Sequence, residues 1–400
     1  MRVLLIHRDL GIGSVGRIVE DLYFGIVNNG IECKVAYGGC INKTNIPVQD
    51  IVAINNKNGI RFHALMSRLT DRTGFFGSRH TKKLIHFIES YSPDIIHIHG
   101  CYGYWINIKV LYRYLATKNI RVINTLHSCW DFTGHCCYFT KANCDKWKTQ
   151  CKACPERRNY PSSLFFDNSA LNYKHKKCLF ASNDHLEYVA PSEWIKTCFH
   201  ESFLKNHKIT LINNGIDLFS FKKNNGDVSK YGIKEKSIVV LGVAACWNER
   251  KGLSDFIDLA RIVPNNYQIV VVGVNDDQLK KLPNNIVGIK RTDSKDDLAS
   301  LYSRATVFFN PTYEDNYPTV NLEAIACGTP VVTYPTGGSP EIIEKTKCGI
   351  VVDYKDYKSI ITFIETRRGQ RFLLSDEQLQ SFSREKMVEK YLELYLNKTL

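Results

Sequence analysis

The stretch N-P-T-Y-E-D-N-Y-P-T-V-N-L-E-A-I-A-C-G (Asn310–Gly328) decides how the rest of the chain is read. Apolar Thr306–Asn310 has the character of a strand, and a polar turn follows it. Pro318 is placed to open a helix and Gly328 to close it, since proline suits the first turn and glycine the position just past the end. Backbone N–H groups at such a start have no helical partner and meet the positive end of the dipole, so the turn suits a phosphate. Asp315 stands before the helix and Glu323 just over one turn into it. An anion held by amides, with carboxylates to grip hydroxyls, suits a nucleotide sugar. The plainer alternative is a turn-forming Asp315 and a solvated Glu323.

Around this stretch the pattern repeats. Strands are expected at Ile209–Ile212, Ile238–Val243, Gln268–Val272, Ile286–Ile289, Val307–Asn310, Pro330–Thr333 and Ile350–Val352, with helices near 253–262, 296–304, 318–327, 340–345 and 358–366. An earlier series has strands at Val3–Ile6, Cys33–Ala36, Ile51–Ile54, Ile95–Ile98, Val122–Leu126 and Tyr188–Ala190, with helices near 16–29, 81–91 and 105–117. Continuous apolar strands alternating with helices predict parallel, doubly wound sheets. Four hundred residues suit two such domains. We place them at 1–205 and 206–379, with an amphipathic helix over 380–400 returning to the first.

Composition is that of a globular chain, 44% hydrophobic and 23% charged. No apolar run approaches the length of a membrane span. The opening M-R-V-L-L-I-H reads as a first strand rather than a signal peptide, so the expected location is the cytoplasm. The formal charge of +13 calls for an acidic partner. Between Lys141 and Lys177 there are nine Lys or Arg against three Asp or Glu, with aromatic residues interleaved. Such a basic insert (129–177) suits an anionic membrane surface, the inner face of the plasma membrane included, or is a plain solvated face. No nucleic-acid motif accompanies the charge.

Several shorter motifs remain. G-I-G-S-V-G (Gly11–Gly16) follows the first strand, and its glycines permit close approach to a ligand. It departs from a dinucleotide fingerprint, because the preceding strand ends in polar H-R-D and no acidic ribose ligand follows strand two. His127 lies just past a strand's carboxyl end, where open sheets bind ligands. Trp130, Asp131 and His135 follow it as further candidates. Cys136, Cys144, Cys151 and Cys154 offer four thiols, the last pair as C-x2-C. Structural zinc and free or redox-sensitive thiols both stay open, whereas no catalytic metal is expected. Arg250 and Lys251 stand at a strand-to-helix turn and could neutralise a diphosphate. Gly337 and Gly338 precede a further helix start, which Glu341 would cap.

Taken together, these residues resemble retaining glycosyltransferases of family 4. Asp315 and Glu323 have the spacing of that family's carboxylate-x7-Glu motif, E-A-I-A-C-G-T-P-V-V follows, and T-G-G-S-P-E resembles its G-G-x-P-E turn. The first carboxylate is usually Glu; here it is Asp315, with Glu314 one residue early. Lys251-Gly252 matches the family's K-G, but its partner arginine is absent, Ala245 and Cys246 standing there, and Arg250 is the substitute at hand. The Cys-rich insert resembles a subset that makes bacterial surface polysaccharide such as O-antigen, capsule or colanic acid.

The resemblance implies a GT-B fold, two Rossmann-like parallel-sheet domains facing a central cleft, with no catalytic cofactor. It implies transfer of a hexosyl group from a UDP- or GDP-sugar to a saccharide or polyprenyl-linked acceptor. Glu323 would hold the ribose and Lys251 with Arg250 the diphosphate. Asp315, Asn316, Tyr317 and Thr319, near Glu314, would orient the sugar beside Gly337 and Gly338. His127 would face the donor sugar, and Gly13, Ser14 and Gly16 would touch acceptor or phosphate. Two rivals are a nucleotide-sugar 2-epimerase of the same fold and a non-catalytic, zinc-stabilised module for anionic membranes.

Overall fold

The computed structural model describes residues 1–181, 183, 185–367, 370 and 372–397. Strands β1 (Arg2–His7), β2 (Glu32–Tyr37), β3 (Ile51–Ala53), β4 (Ile95–Ile98), β5 (Arg121–Thr125), β6 (Leu186–Ala190) and β7 (Ile209–Leu211) form one sheet in the order β3-β2-β1-β4-β5-β6-β7. Strands β8 (Ile238–Val243), β9 (Tyr267–Val272), β10 (Ile286–Ile289), β11 (Val307–Asn310), β12 (Val331–Thr333) and β13 (Gly349–Val351) form a second, ordered β10-β9-β8-β11-β12-β13. Every pairing is parallel. Helices on both faces bury the Val- and Ile-rich central strands, so these lack the polar alternation of a one-sided sheet.

The chain divides into unit 1, Met1–Asn213 with the segment from Met387, and unit 2, Asn214–Lys386. One strand changes sheets relative to the sequence pattern. Ile209–Ile212 reads as the start of the second series, yet β7 pairs with β6 (Tyr188↔Ile209) and edges the first sheet. Three residues carry no periodicity that could choose a sheet; the pairing partner does.

The amphipathic tail also differs. A short helix, Asp376–Gln380, is followed by a break at Ser381–Ser383 before the helix Arg384–Tyr395. The break exists because the main chain there pairs with Ile216, whose N–H donates to Phe382 O at 3.0 Å and whose carbonyl accepts from Arg384 N–H at 2.8 Å. Met387, Tyr391, Leu394 and Tyr395 are then buried against Val3, Leu5 and Ile123 of unit 1. Residues 398–400 of the expected helix lie outside the described residues. A helix over Lys57–Thr70 is absent from the sequence reading; the Asn56 side chain caps it by accepting from Gly59 N–H at 2.8 Å.

Each strand order reverses once, between β1 and β4 and between β8 and β11. Loops leaving the carboxyl ends of such neighbours run to opposite faces, and the crevice they leave is where open α/β sheets bind ligands.

Candidate functional site

In unit 2 the two loops of that crevice are joined by charge. After β8, the turn Glu249–Lys251 is capped by Asn248, whose Oδ1 accepts from Lys251 N–H at 3.2 Å. Gly252, at φ +73°, then lets the chain pass under Pro311: a Cβ there would lie 2.3 Å from the Pro311 carbonyl. This brings Lys251 Nζ to Asp315 Oδ2 at 2.5 Å. Arg250 donates through Nη1 to the Glu314 carbonyl, and its own carbonyl accepts from Tyr313 N–H at 2.8 Å. Burial works to raise the Asp315 carboxyl, but the Lys251 and Arg250 charges outweigh it and hold it below the ordinary carboxylate range. The same burial draws the Lys251 ammonium below its usual range despite Asp315.

Glycines 337 and 338 lock the loop from its other side. Gly337 has φ +53°, and a Cβ on it would sit 1.8 Å from the Asp315 carbonyl oxygen; Gly338 N–H donates to Asn316 O at 2.7 Å. Pro318 is the residue before the helix Thr319–Ala326, and Gly328, at φ +78°, follows it. Tyr317 is buried, and Asn310 Nδ2 donates to Asn321 Oδ1 at 2.8 Å, tying strand to helix. Glu323 is 7% exposed and accepts from Tyr302 Oη at 3.1 Å. Asp315, Glu314, Asn316, Thr319, Lys251, Arg250 and the two glycines are therefore one neighbourhood, with Glu323 on its helix.

In unit 1 the corresponding crevice is lined by histidines. His7 ends β1 and His99 follows β4; His7 Nδ1 bonds the His99 carbonyl at 2.7 Å. His127, just past β5, bonds His99 Nδ1 through its Nε2 at 3.0 Å, and both rings are buried. Burial pulls His127 and His99 well below the usual imidazole range and His7 to about 4. A cavity of about 260 Å³ opens nearby, lined by His7, Arg8, Gly13, Ser14, Tyr102 and Tyr160 among others. Gly13, at φ +69°, begins the helix Gly13–Asn28; Gly16 is buried under the Asp9 carbonyl instead of facing the cavity. His7 and His99 escape the sequence reading. For His99 the signal is H-I-H (His97–His99), two imidazoles two residues apart at the end of an otherwise apolar strand.

Three candidates lie inside the fold. Trp130, Asp131 and His135 are at most 3% exposed. Asn124 Nδ2 donates to Asp131 at 3.1 Å, His135 pairs with Asp71, and the Lys176 ammonium sits 3.3 Å from the Trp130 ring centre. They hold the insert onto the sheet and are closed off from solvent. Among the cysteines, Cys136 and Cys154 share an S–H···S bond, and Cys151 Sγ accepts from Gly134 N–H at 3.2 Å. Among the described residues no group of three or more His, Cys, Asp or Glu is placed to hold a metal ion. The four thiols expected as a zinc set are thus neighbours without converging on one point.

Residues 15–219 match the model described as Glycosyltransferase Family 4, and residues 225–381 match that of Glycosyl transferases group 1. The chain is similar to the Escherichia coli (strain K12) protein named "Putative colanic acid biosynthesis glycosyl transferase WcaC", 24% identical over 99% of this chain and all of that one. It is also 24% identical, over 50% of this chain and 57% of the relative, to an Escherichia coli UDP-Gal:alpha-D-GlcNAc-diphosphoundecaprenol alpha-1,3-galactosyltransferase. Among solved structures, Anabaena Alr3699/HepE in complex with UDP and glucose shares the fold at TM-score 0.68 and 16% identity, covering 99% of both chains.

Proposed function

This chain belongs to glycosyltransferase family 4, and we propose that it transfers a hexosyl group, with retention, from a UDP- or GDP-sugar to a lipid-linked or oligosaccharide acceptor of bacterial surface polysaccharide. The observation that carries the reading is the Lys251–Asp315 pair at the strand-order reversal of unit 2, beside the start of the helix bearing Glu323. A relative that acts on a diphosphoundecaprenol-linked sugar and a neighbour that binds UDP support the substrate classes.

In this reading Glu323, steadied by Tyr302, accepts hydroxyl hydrogens of the ribose. Lys251 and Arg250 balance charge on the departing diphosphate, which needs no metal for that purpose. Asp315 and the amides of Asn316, Tyr317 and Thr319 orient the sugar. In unit 1, Gly13 and Ser14 approach acceptor or phosphate and His127 contacts sugar. The acceptor hydroxyl attacks the anomeric carbon on the face the diphosphate leaves. The new C–O bond forms as the C–O bond to phosphate breaks, and the hydroxyl proton passes to the leaving phosphate oxygen. Incubation with a nucleotide sugar and a synthetic polyprenyl-diphosphate saccharide, followed by NMR of the new linkage, tests this. An α-linked product from an α-donor is expected; an inverted linkage, or a covalent glycosyl-enzyme, contradicts it, and sugar released without acceptor favours an epimerase.

A further inference from the structure

The surface of unit 1 carries a run of large apolar side chains. Leu164, Phe165 and Phe166 are consecutive, large and apolar, yet 58%, 67% and 61% exposed. Three adjacent apolar side chains held in water are a fault in a fold unless something covers them. They are held there by the backbone: Leu164 N–H donates to the Arg68 carbonyl at 2.8 Å, Ser163 Oγ donates to Phe166 O at 2.7 Å, and Arg157 Nη1 donates to Phe165 O at 2.8 Å. The bond to Arg68 sets this loop at the end of the helix Lys57–Thr70, whose own outward stripe carries Phe62 and Leu65, each 55% exposed.

Charge identifies what covers them. From Lys57 to Lys83 the chain has seven Lys or Arg and one acid, Asp71, which is buried against His135. From Asp145 to Asp167 it has five and three, of which Glu156 is buried and Asp167 accepts from the N–H groups of Cys154 and Ser169. Arg61 and Arg68 flank Phe62 and Leu65 on the exposed stripe, and Arg158 is exposed shortly before the apolar triplet. Aromatic and aliphatic tips on segments where cations outnumber acids complement an anionic bilayer, with side chains at the acyl boundary and cations at phosphates. The face also reaches the unit 1 cavity: Tyr160, four residues before Leu164, lines it, and Tyr104 stacks edge-on between Tyr160 and His63 of the same helix.

We propose that Phe62, Leu65 and Leu164–Phe166 insert into a membrane bearing anionic headgroups. The inference rests on the proposed function only for its purpose, bringing a lipid-linked acceptor to the enzyme; its evidence is independent of catalysis.

Vesicle flotation of the full chain tests it, with phosphatidylcholine vesicles containing or lacking phosphatidylglycerol. The wild type floats with the anionic vesicles alone. Phe165→Ser/Phe166→Ser lowers the bound fraction about tenfold or more even at low salt, and Arg61→Glu/Arg68→Glu lowers it in a salt-dependent way. Both variants keep the wild-type melting temperature and its response to nucleotide sugar. Flotation of Phe165→Ser/Phe166→Ser equal to wild type overturns the proposal. So does a wild type that ignores vesicles but sediments as a dimer that this variant dissolves, which would make the face a contact between copies. Flotation as expected with no nucleotide-sugar response keeps the inference and removes the catalytic reading.

Discussion

Lys251 Nζ stands 2.5 Å from Asp315 Oδ2, and the two residues come from the loops that diverge at the one reversal in the second sheet. A cation kept beside a carboxylate at a ligand crevice is preorganised before any diphosphate arrives. Lys251→Ala should lower kcat for sugar transfer by about a hundredfold or more, and it leaves a mostly buried Asp315 without its partner. The pair's stability has a defined pH range. Asp315 is held below its unfolded value near 4, so its contribution is complete above that value and disappears as pH falls through the lower, folded one. Asp315→Asn should remove this acid-side loss from a denaturation series; an unchanged acid limb would show that the carboxylate is not held by the cation.

Gly337 is where backbone geometry, not a side chain, shapes the turn. A methyl group there meets the Asp315 carbonyl and a φ of +53° that L-residues avoid. Gly337→Ala should destabilise the protein by about 1–3 kcal/mol and weaken nucleotide-sugar binding through the displaced Asp315–Asn316 backbone. Chemical denaturation and a binding isotherm on the same preparation check both effects. Gly30→Ala, also at positive φ but with open space around it, should leave binding unchanged.

The buried imidazoles set an acid limit on unit 1. Burial lowers His63 and His97 to about 3 and His7 to about 4, and holds His99 and His127 well down. These groups are neutral when folded and take up protons near 6.5 when unfolded. Stability is therefore full above that value and is lost as pH falls below it, by about 1.4 kcal/mol per pH unit for each imidazole. His97 is held on both sides, by Tyr395 Oη at 2.6 Å and Thr125 Oγ1 at 2.8 Å. Urea denaturation between pH 7.5 and 5.5 should show the steep slope, and His97→Gln should reduce it by about one proton. A flat profile would mean the imidazoles are charged in the folded chain.

The cysteine cluster has a direct chemical readout. The Cys136 thiol's bond to Cys154 draws the Cys154 thiol below its usual range, while burial pushes Cys151 up to about 12. Cys154 should then be the first of the four alkylated, followed by Cys151 only slowly. Protection of all four until a chelator is added would contradict free thiols and establish structural zinc. Mass mapping with and without EDTA distinguishes the two.

Much of this architecture is legible in the residues, for identifiable reasons. Long Val- and Ile-rich runs such as Ile238–Val243 announce buried parallel strands, and Pro318 and Gly328 bracket a helix that spans Thr319–Ala326. The short edge strand Ile209–Leu211 and the break at Ser383 depend on which distant backbone supplies hydrogen bonds, which no local pattern records. The same holds for the site. Spacing picks out Asp315 and Lys251 separately, but their pairing comes from strand order. His99 stands one residue past β4, where it reads as the polar end of an apolar run. Asp131 and His135 look available in a polar stretch, yet the insert folds over them and Asn124 and Asp71 take their hydrogen bonds.

The most direct test of the central claim is a thermal-shift comparison of wild type and Glu323→Ala with UDP-, GDP- and ADP-sugars. Binding to the native state raises the melting temperature by mass action. A rise with the UDP or GDP class that Glu323→Ala abolishes is the predicted result. A rise that survives Glu323→Ala, or no rise with any nucleotide sugar, would contradict the assignment of this helix as the donor site.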